Sequence, residues 1–223
     1  MRTCMIFIVV SMMTMLTQSM FAEDQLATIS PAKPKLGDEL VLVYNPLAKS
    51  SSLKDVKELT AEVMMATREM PQLLEIPMKK EGSSWKGSFK LTDENARMLL
   101  IRFVSEEQKD DNGEKSWETM IYSAKGIPVE GAHLVRASLL RSGSFVDFKL
   151  NKDAEAAKKE LSMERELYPE NYAAAFTQWS WMLRETPNDE TKAKIQKELD
   201  ALQEKAGTRE EFIALSNRDG SKS

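Results

Sequence analysis

Cysteine is all but missing from this 223-residue chain: one residue, Cys4, stands near the N-terminus. It precedes the apolar run of residues 5–16, so it is not placed as the lipid-bearing cysteine that closes a lipoprotein signal. From Glu23 on there is no thiol, which excludes a disulfide, a thiolate nucleophile and a cysteine-based metal site. Histidine is as scarce, with His133 alone. A single imidazole beside a loop reads as a surface or capping residue, and no Ser-His-Asp or Cys-His arrangement can be assembled around it. Concentrated positive charge is missing too. The formal net charge is −4 and no basic cluster stands out, which argues against nucleic acid and against peripheral binding to an acidic membrane. Nor does any apolar run reach the roughly 20 residues that cross a bilayer.

What is present begins with a secretory signature. Arg2 supplies a positive start, residues 5–16 form an apolar run broken only by Ser11 and Thr14, and Ser19-Met20-Phe21-Ala22 puts a small residue ahead of Glu23 and Asp24. The expectation is a cleaved signal peptide over residues 1–22 and a periplasmic or secreted protein with no stable membrane insertion after cleavage. A hydrophobic fraction of 42% and a charged fraction of 30% are those of a soluble globular chain, and the length allows two domains with a core each.

Residues 26–123 have a strand grammar. Extended runs are expected at 26–29, 39–44, 59–66, 73–78, 85–91, 98–104 and 117–122, separated by Pro, Gly, Ser and Asn signals. Trp85, Gly87, Phe89 and Leu91 alternate with Lys86, Ser88 and Lys90, a period of two. Pro77 marks the run at 73–78 as an edge or a bulge. Asn112-Gly113 favours a tight reversal before Trp117. Turn signals at about ten-residue intervals predict an immunoglobulin-like β-sandwich over residues 23–125. At residues 126–131 the period becomes helical, and residues 126–216 read as an all-α, tetratricopeptide-like segment, with a disordered tail at 217–223. Its third helix carries Tyr172, Phe176, Trp179, Met182 and Leu183 on one face, with Pro169 suited to the first turn. Asn151 is placed to cap the second helix, and Thr208-Arg209-Glu210-Glu211 to open a last one with Phe212 and Leu215.

The order of these parts resembles the N-terminal region of TlpA-type extracytoplasmic thioredoxin-like proteins. The residues that carry it are Ile29-Ser30-Pro31-Ala32-Lys33-Pro34-Lys35-Leu36-Gly37-Asp38-Glu39, then Ile76-Pro77-Met78-Lys79-Lys80-Glu81-Gly82-Ser83-Ser84-Trp85-Lys86-Gly87-Ser88-Phe89, then Asp110-Asp111-Asn112-Gly113, and Glu166-Leu167-Tyr168-Pro169-Glu170-Asn171-Tyr172. In that family a β-sandwich and a helical-repeat segment precede the thioredoxin domain. Here there is no such domain and no Cys-x-x-Cys, so thiol-disulfide exchange transfers to no residue. The resemblance implies a non-catalytic extracytoplasmic protein-interaction module that needs no cofactor. Its partner would be a protein or peptide, a redox protein among the candidates, held in a helical groove or by strand addition at a free sheet edge. Two alternatives stand beside it: a carbohydrate-binding module, and a truncated redoxin whose catalytic domain is missing.

Few residues suggest chemistry. Asp110, Asn112 and Glu114 alternate as in a calcium loop, but Gly113 falls at the fourth place rather than the sixth, which favours a plain hairpin. Glu62, Glu69 and Glu75 could pair for glycoside chemistry or simply form a solvated face. Trp85, Trp117 and Tyr122 are either a ligand platform or core. Trp181 lies about 200° round the helix from Trp179, so one indole meets the sheets, a final helix or a partner. Trp181, Trp179 and Tyr172 are the candidate partner-binding residues.

Overall fold

The alternation in the first half of the chain is realised strand by strand. A computed structural model describes residues 25–67, 70–106 and 108–206. The expected signal segment with Cys4, Glu69, the helix around Phe212 and Leu215, and the tail at 217–223 lie outside the described residues. The strands are β1 (Ala27–Ser30), β2 (Glu39–Tyr44), β3 (Thr60–Thr67), β4 (Gln72–Pro77), β5 (Lys79–Glu81), β6 (Ser84–Lys90), β7 (Ala96–Ser105), β8 (Gln108–Asp110) and β9 (Trp117–Met120). One antiparallel sheet runs β1-β2-β6-β5. A second runs β4-β3-β7, with β8 and β9 both pairing β7. Leu40, Leu42, Tyr44 and Trp85 from the first sheet share a core with Ala61, Val63, Leu99, Ile101 and Phe103 from the second.

The other face of the second sheet is apolar as well: Met64, Ala66, Met98 and Leu100 are buried there. That is why the centre of β7 reads as an unbroken apolar run, as a strand covered on both faces must. The cover comes from α1 (Ala132–Ser142), the hairpin β10 (Ser144–Phe145) and β11 (Phe148–Lys149), α2 (Ala154–Leu167) and α3 (Tyr172–Glu185). Ala137, Leu139, Leu140, Phe148, Leu150, Ala157, Leu161, Ala174 and Trp181 complete this second core. The fourth helix, α4 (Asp189–Ala206), packs Ile195, Leu199 and Leu202 against Ala175, Phe176 and Trp179 of α3.

The expected immunoglobulin-like β-sandwich followed by an all-α, tetratricopeptide-like segment is therefore overturned. The protein is a mixed α/β chain with three antiparallel sheets and, among the described residues, four helices. The third sheet sits between α1 and α2. Gly143 closes α1 at φ 80°, and its carbonyl accepts from Leu150 N at 3.0 Å, so the segment expected as a connector folds into a hairpin instead. Smaller corrections have equally local causes. Asn112-Gly113 does not make the hairpin reversal, which falls at residues 105–108, with Glu106 at φ 52°. It lies in a loop at residues 111–116 that interrupts the strand formed by β8 and β9. Asp153, not Asn151, caps α2, accepting from Ala156 N at 2.9 Å. Pro169 precedes α3 in a turn closed by Asn171 N to Tyr168 O at 2.9 Å.

Candidate functional site

A sheet ends in strands whose outer backbone groups lack a ladder, and proteins normally blunt such edges with charge, shortness or irregularity. Three edges here are blunted. Strand β5 has three residues, Lys79, Lys80 and Glu81, all exposed. The β8/β9 edge is broken by the loop at residues 111–116, where Asn112, Gly113, Glu114 and Ser116 all take positive φ and Glu114 pairs with Lys149 of β11. Strand β1 has four residues. The remaining edge of the two larger sheets, β4, is six residues long and carries one charge, Glu75. Leu73 is 47% exposed and the neighbouring Met70 77%.

The position of β4 is fixed from both sides. Leu74 and Ile76 pack partly into the inter-sheet core, opposite Val63 and Ala61. After Ile76 the chain crosses from the second sheet to the first, and at this corner it presses on Gly87 of β6: a Cβ there would lie 2.6 Å from Met78 Sδ and 3.1 Å from Ile76 Cγ2. Among the described residues no strand pairs with the outer side of β4. Glu75 sits opposite Glu62, whose carboxylate is held by Arg102 Nε at 2.5 Å. The structure thus brings two of the three sequence-nominated carboxylates together, but Glu62 is already engaged by Arg102 and largely covered, while Glu75 stands exposed at the edge.

A second polar assembly lies between α1 and α2. Glu164 is fully buried and accepts from Gly131 N at 2.6 Å, His133 N at 3.1 Å and Asn171 Nδ2 at 2.7 Å. It meets the unsatisfied donors at the start of α1, as a negative group at a helix N-terminus should. His133, expected at the surface, is buried, with Nδ1 2.5 Å from Glu160 Oε2. Arg136 joins Glu160 to Glu118 of β9, the latter at 2.7 Å. Burial opposes ionisation of Glu160, but the His133 hydrogen bond and the Arg136 charge outweigh it and hold its pKa below the ordinary carboxylate value. Every member has a structural partner, so this assembly is a lock between elements.

The other nominated residues are likewise occupied. Trp181 is 9% exposed, in the second core, with the Arg141 guanidinium 4.6 Å over its ring. Trp179 is buried against α4 and donates Nε1–H to Glu198 at 2.9 Å. Tyr172 is half-buried at the start of α3. Trp85 is buried in the inter-sheet core, and Trp117 packs on its margin, edge-on to Phe103. Tyr122 is half-buried beneath Lys33. These aromatics do not form one exposed platform. Asp110 of the calcium-like loop is buried, accepting from Tyr44 O–H at 2.7 Å and Ser52 N at 3.0 Å. Burial pushes the Tyr44 phenol well above its ordinary pKa.

One cleft, of about 440 Å³, opens where residues 35–38, 93–97 and 121–130 meet. Its walls mix Lys35 and Arg97 with Asp38, Asp93, Glu94 and Glu130, and Arg97 Nη1 donates to the carbonyls of Glu94 and Ala96 at 2.8 Å. Among the described residues no group of three or more His, Cys, Asp or Glu is placed to hold a metal, and no helix is long and apolar enough to cross a membrane. No family model matches the chain, and searches of curated proteins and of solved structures return no match.

Proposed function

We propose that this chain is an extracytoplasmic protein-binding module without catalytic activity of its own, and that it binds by accepting an extended segment of its partner along β4. The observation that carries the reading is the contrast between edges: β5, just across the Met78 corner, is short and charged, whereas β4 is longer and exposes Leu73. A strand added there would gain main-chain hydrogen bonds for affinity and neighbouring side chains for selectivity. The secretory signature of residues 1–22 supports an extracytoplasmic setting. The resemblance to TlpA-type proteins nominates a redox protein as one candidate partner.

Site-specific photo-crosslinking in cells that export the protein tests this. A crosslinking residue at Leu73 is expected to give a discrete adduct, and the same residue at Lys80 none. Equal adducts at both positions, or none at Leu73, would refute the assignment.

A further inference from the structure

The register of the five-stranded sheet dictates what a strand added to β4 would meet. On the face that carries the helices, Leu100, Met64 and Leu73 stand in one row across the sheet, and Arg102, Glu62 and Glu75 in another. On the inner face the rows are Ile101, Val63 and Leu74, then Phe103, Ala61 and Ile76. Neighbours in such rows interact directly: opposite charges and apolar pairs favour pairing, and like charges oppose it.

The charged row is incomplete. Arg102 is spent on Glu62 at 2.5 Å, on the Asp147 carbonyl at 3.2 Å and on the Phe148 ring at 4.4 Å. Glu75 therefore has a like-charged neighbour on one side and, among the described residues, no ion pair. Reading outward the row runs positive, negative, negative, and an incoming basic residue would balance it. The main chain agrees. Met78 N donates to Leu59 O at 2.8 Å, and this pair sets the parity of the β3–β4 ladder. Hydrogen-bonded and open pairs alternate in antiparallel sheets, so Leu73 and Glu75 turn their N–H and C=O groups to the free edge. Pro77, next in that parity, has no N–H to offer and ends the ladder.

We infer that the β4 edge selects an extended, antiparallel segment of a partner protein with Lys or Arg opposite Glu75 and apolar side chains opposite Leu74 and Leu73. In the partner's own direction the motif reads basic, apolar, apolar. The inference rests on the strand-addition reading above and adds a sequence preference to it.

Two blocked octapeptides test it on the full chain: Ser-Thr-Val-Lys-Val-Val-Thr-Ser, and the same peptide with Glu in place of Lys. The lysine peptide is expected to slow hydrogen exchange at the Leu73 and Glu75 amides and to bind about fivefold more tightly than the glutamate peptide. Glu75→Lys, a change at an exposed position, is expected to reverse that order, and added salt to shrink the difference. Equal binding of both peptides, or an unchanged order in Glu75→Lys, would overturn the charge preference. Exchange protection at Leu73 and Glu75 by both peptides alike would still leave strand addition standing. No protection by either peptide would overturn the motif, and the crosslinking at Leu73 then decides strand addition separately.

Discussion

Glu164 shows how much one side chain can hold. It is fully buried, and its partners come from the start of α1 and from the turn before α3. Replacing it with Ala would strand those donors, at about 3 kcal/mol of stability or more; Glu166→Ala, two residues on and exposed, should stay within about 0.5 kcal/mol. Urea denaturation of the two variants checks the contrast. Glu160 adds a pH dependence. Its folded pKa lies below the unfolded value near 4.5, so its stabilisation is present above about pH 4.5 and fades as pH falls through the lower folded value. Thermal melts between pH 6 and 3, a range set by ordinary carboxylate titration at about pH 4, should show a steeper acid loss in the wild type than in Glu160→Gln. A residual acid loss in the variant is expected from Glu198, where burial is outweighed by hydrogen bonds from Trp179 and Arg165 that hold its pKa low. At this scale the pattern was legible in part. Ala157, Glu160, Leu161 and Glu164 keep the i, i+3, i+4, i+7 spacing of a buried face, but two of the four are acidic, so periodicity in apolar residues alone passes over them. The missing signal was His133 and Arg136, three apart on the preceding helix and able to face those glutamates.

Among elements, β4 and α3 make opposite predictions for residues of similar apolar character. Leu73→Lys on β4 should leave stability within about 0.5 kcal/mol and weaken the protection that the lysine peptide gives the Glu75 amide. Trp181→Ala on α3 removes a core side chain stacked under Arg141 and should cost about 3–5 kcal/mol; an unchanged melting temperature would show that Trp181 is not core. The strands were the easier part to read, because period-two alternation and Pro or Gly punctuation are local properties of the chain. Pro77 marks the run at 73–78 as an edge or a bulge, and β4 lies at the end of its sheet. The hairpin β10–β11 was not legible, since each of its strands has only two residues and its register depends on Gly143 and on the apolar face of β7 beneath it. The turn at Tyr168-Pro169-Glu170-Asn171 was misread for a related reason: Pro suits a first helical turn and the second place of a β-turn alike. Which one forms is settled by Glu164 drawing Asn171 toward α2 at 2.7 Å.

For the whole molecule, the decisive feature is a core that ignores the change of periodicity at residue 126. Met64, Ala66, Met98 and Leu100 from the second sheet are buried together with side chains as late as Trp181, and Arg136 of α1 ties back to Glu118 of β9 at 2.7 Å. A chain ending at residue 125 would leave that apolar sheet face open to water. Contiguous exposed apolar surface of this kind drives association, so such a fragment should aggregate or bind a hydrophobic dye while the full chain does not. The same continuity implies that sheets and helices melt together. Calorimetry of the full chain should give one transition with matching calorimetric and van't Hoff enthalpies, and Trp181→Ala should lower the stability of sheet and helices alike. Two resolved transitions, with only the helical one moved by that substitution, would mean that the second core couples the parts too weakly to make them one folding unit. The β4 edge would then be presented by sheets able to stand alone. If one transition is found, occupancy of β4 by a peptide should raise the melting temperature of the entire chain, because a ligand of the folded state stabilises everything that unfolds with its site.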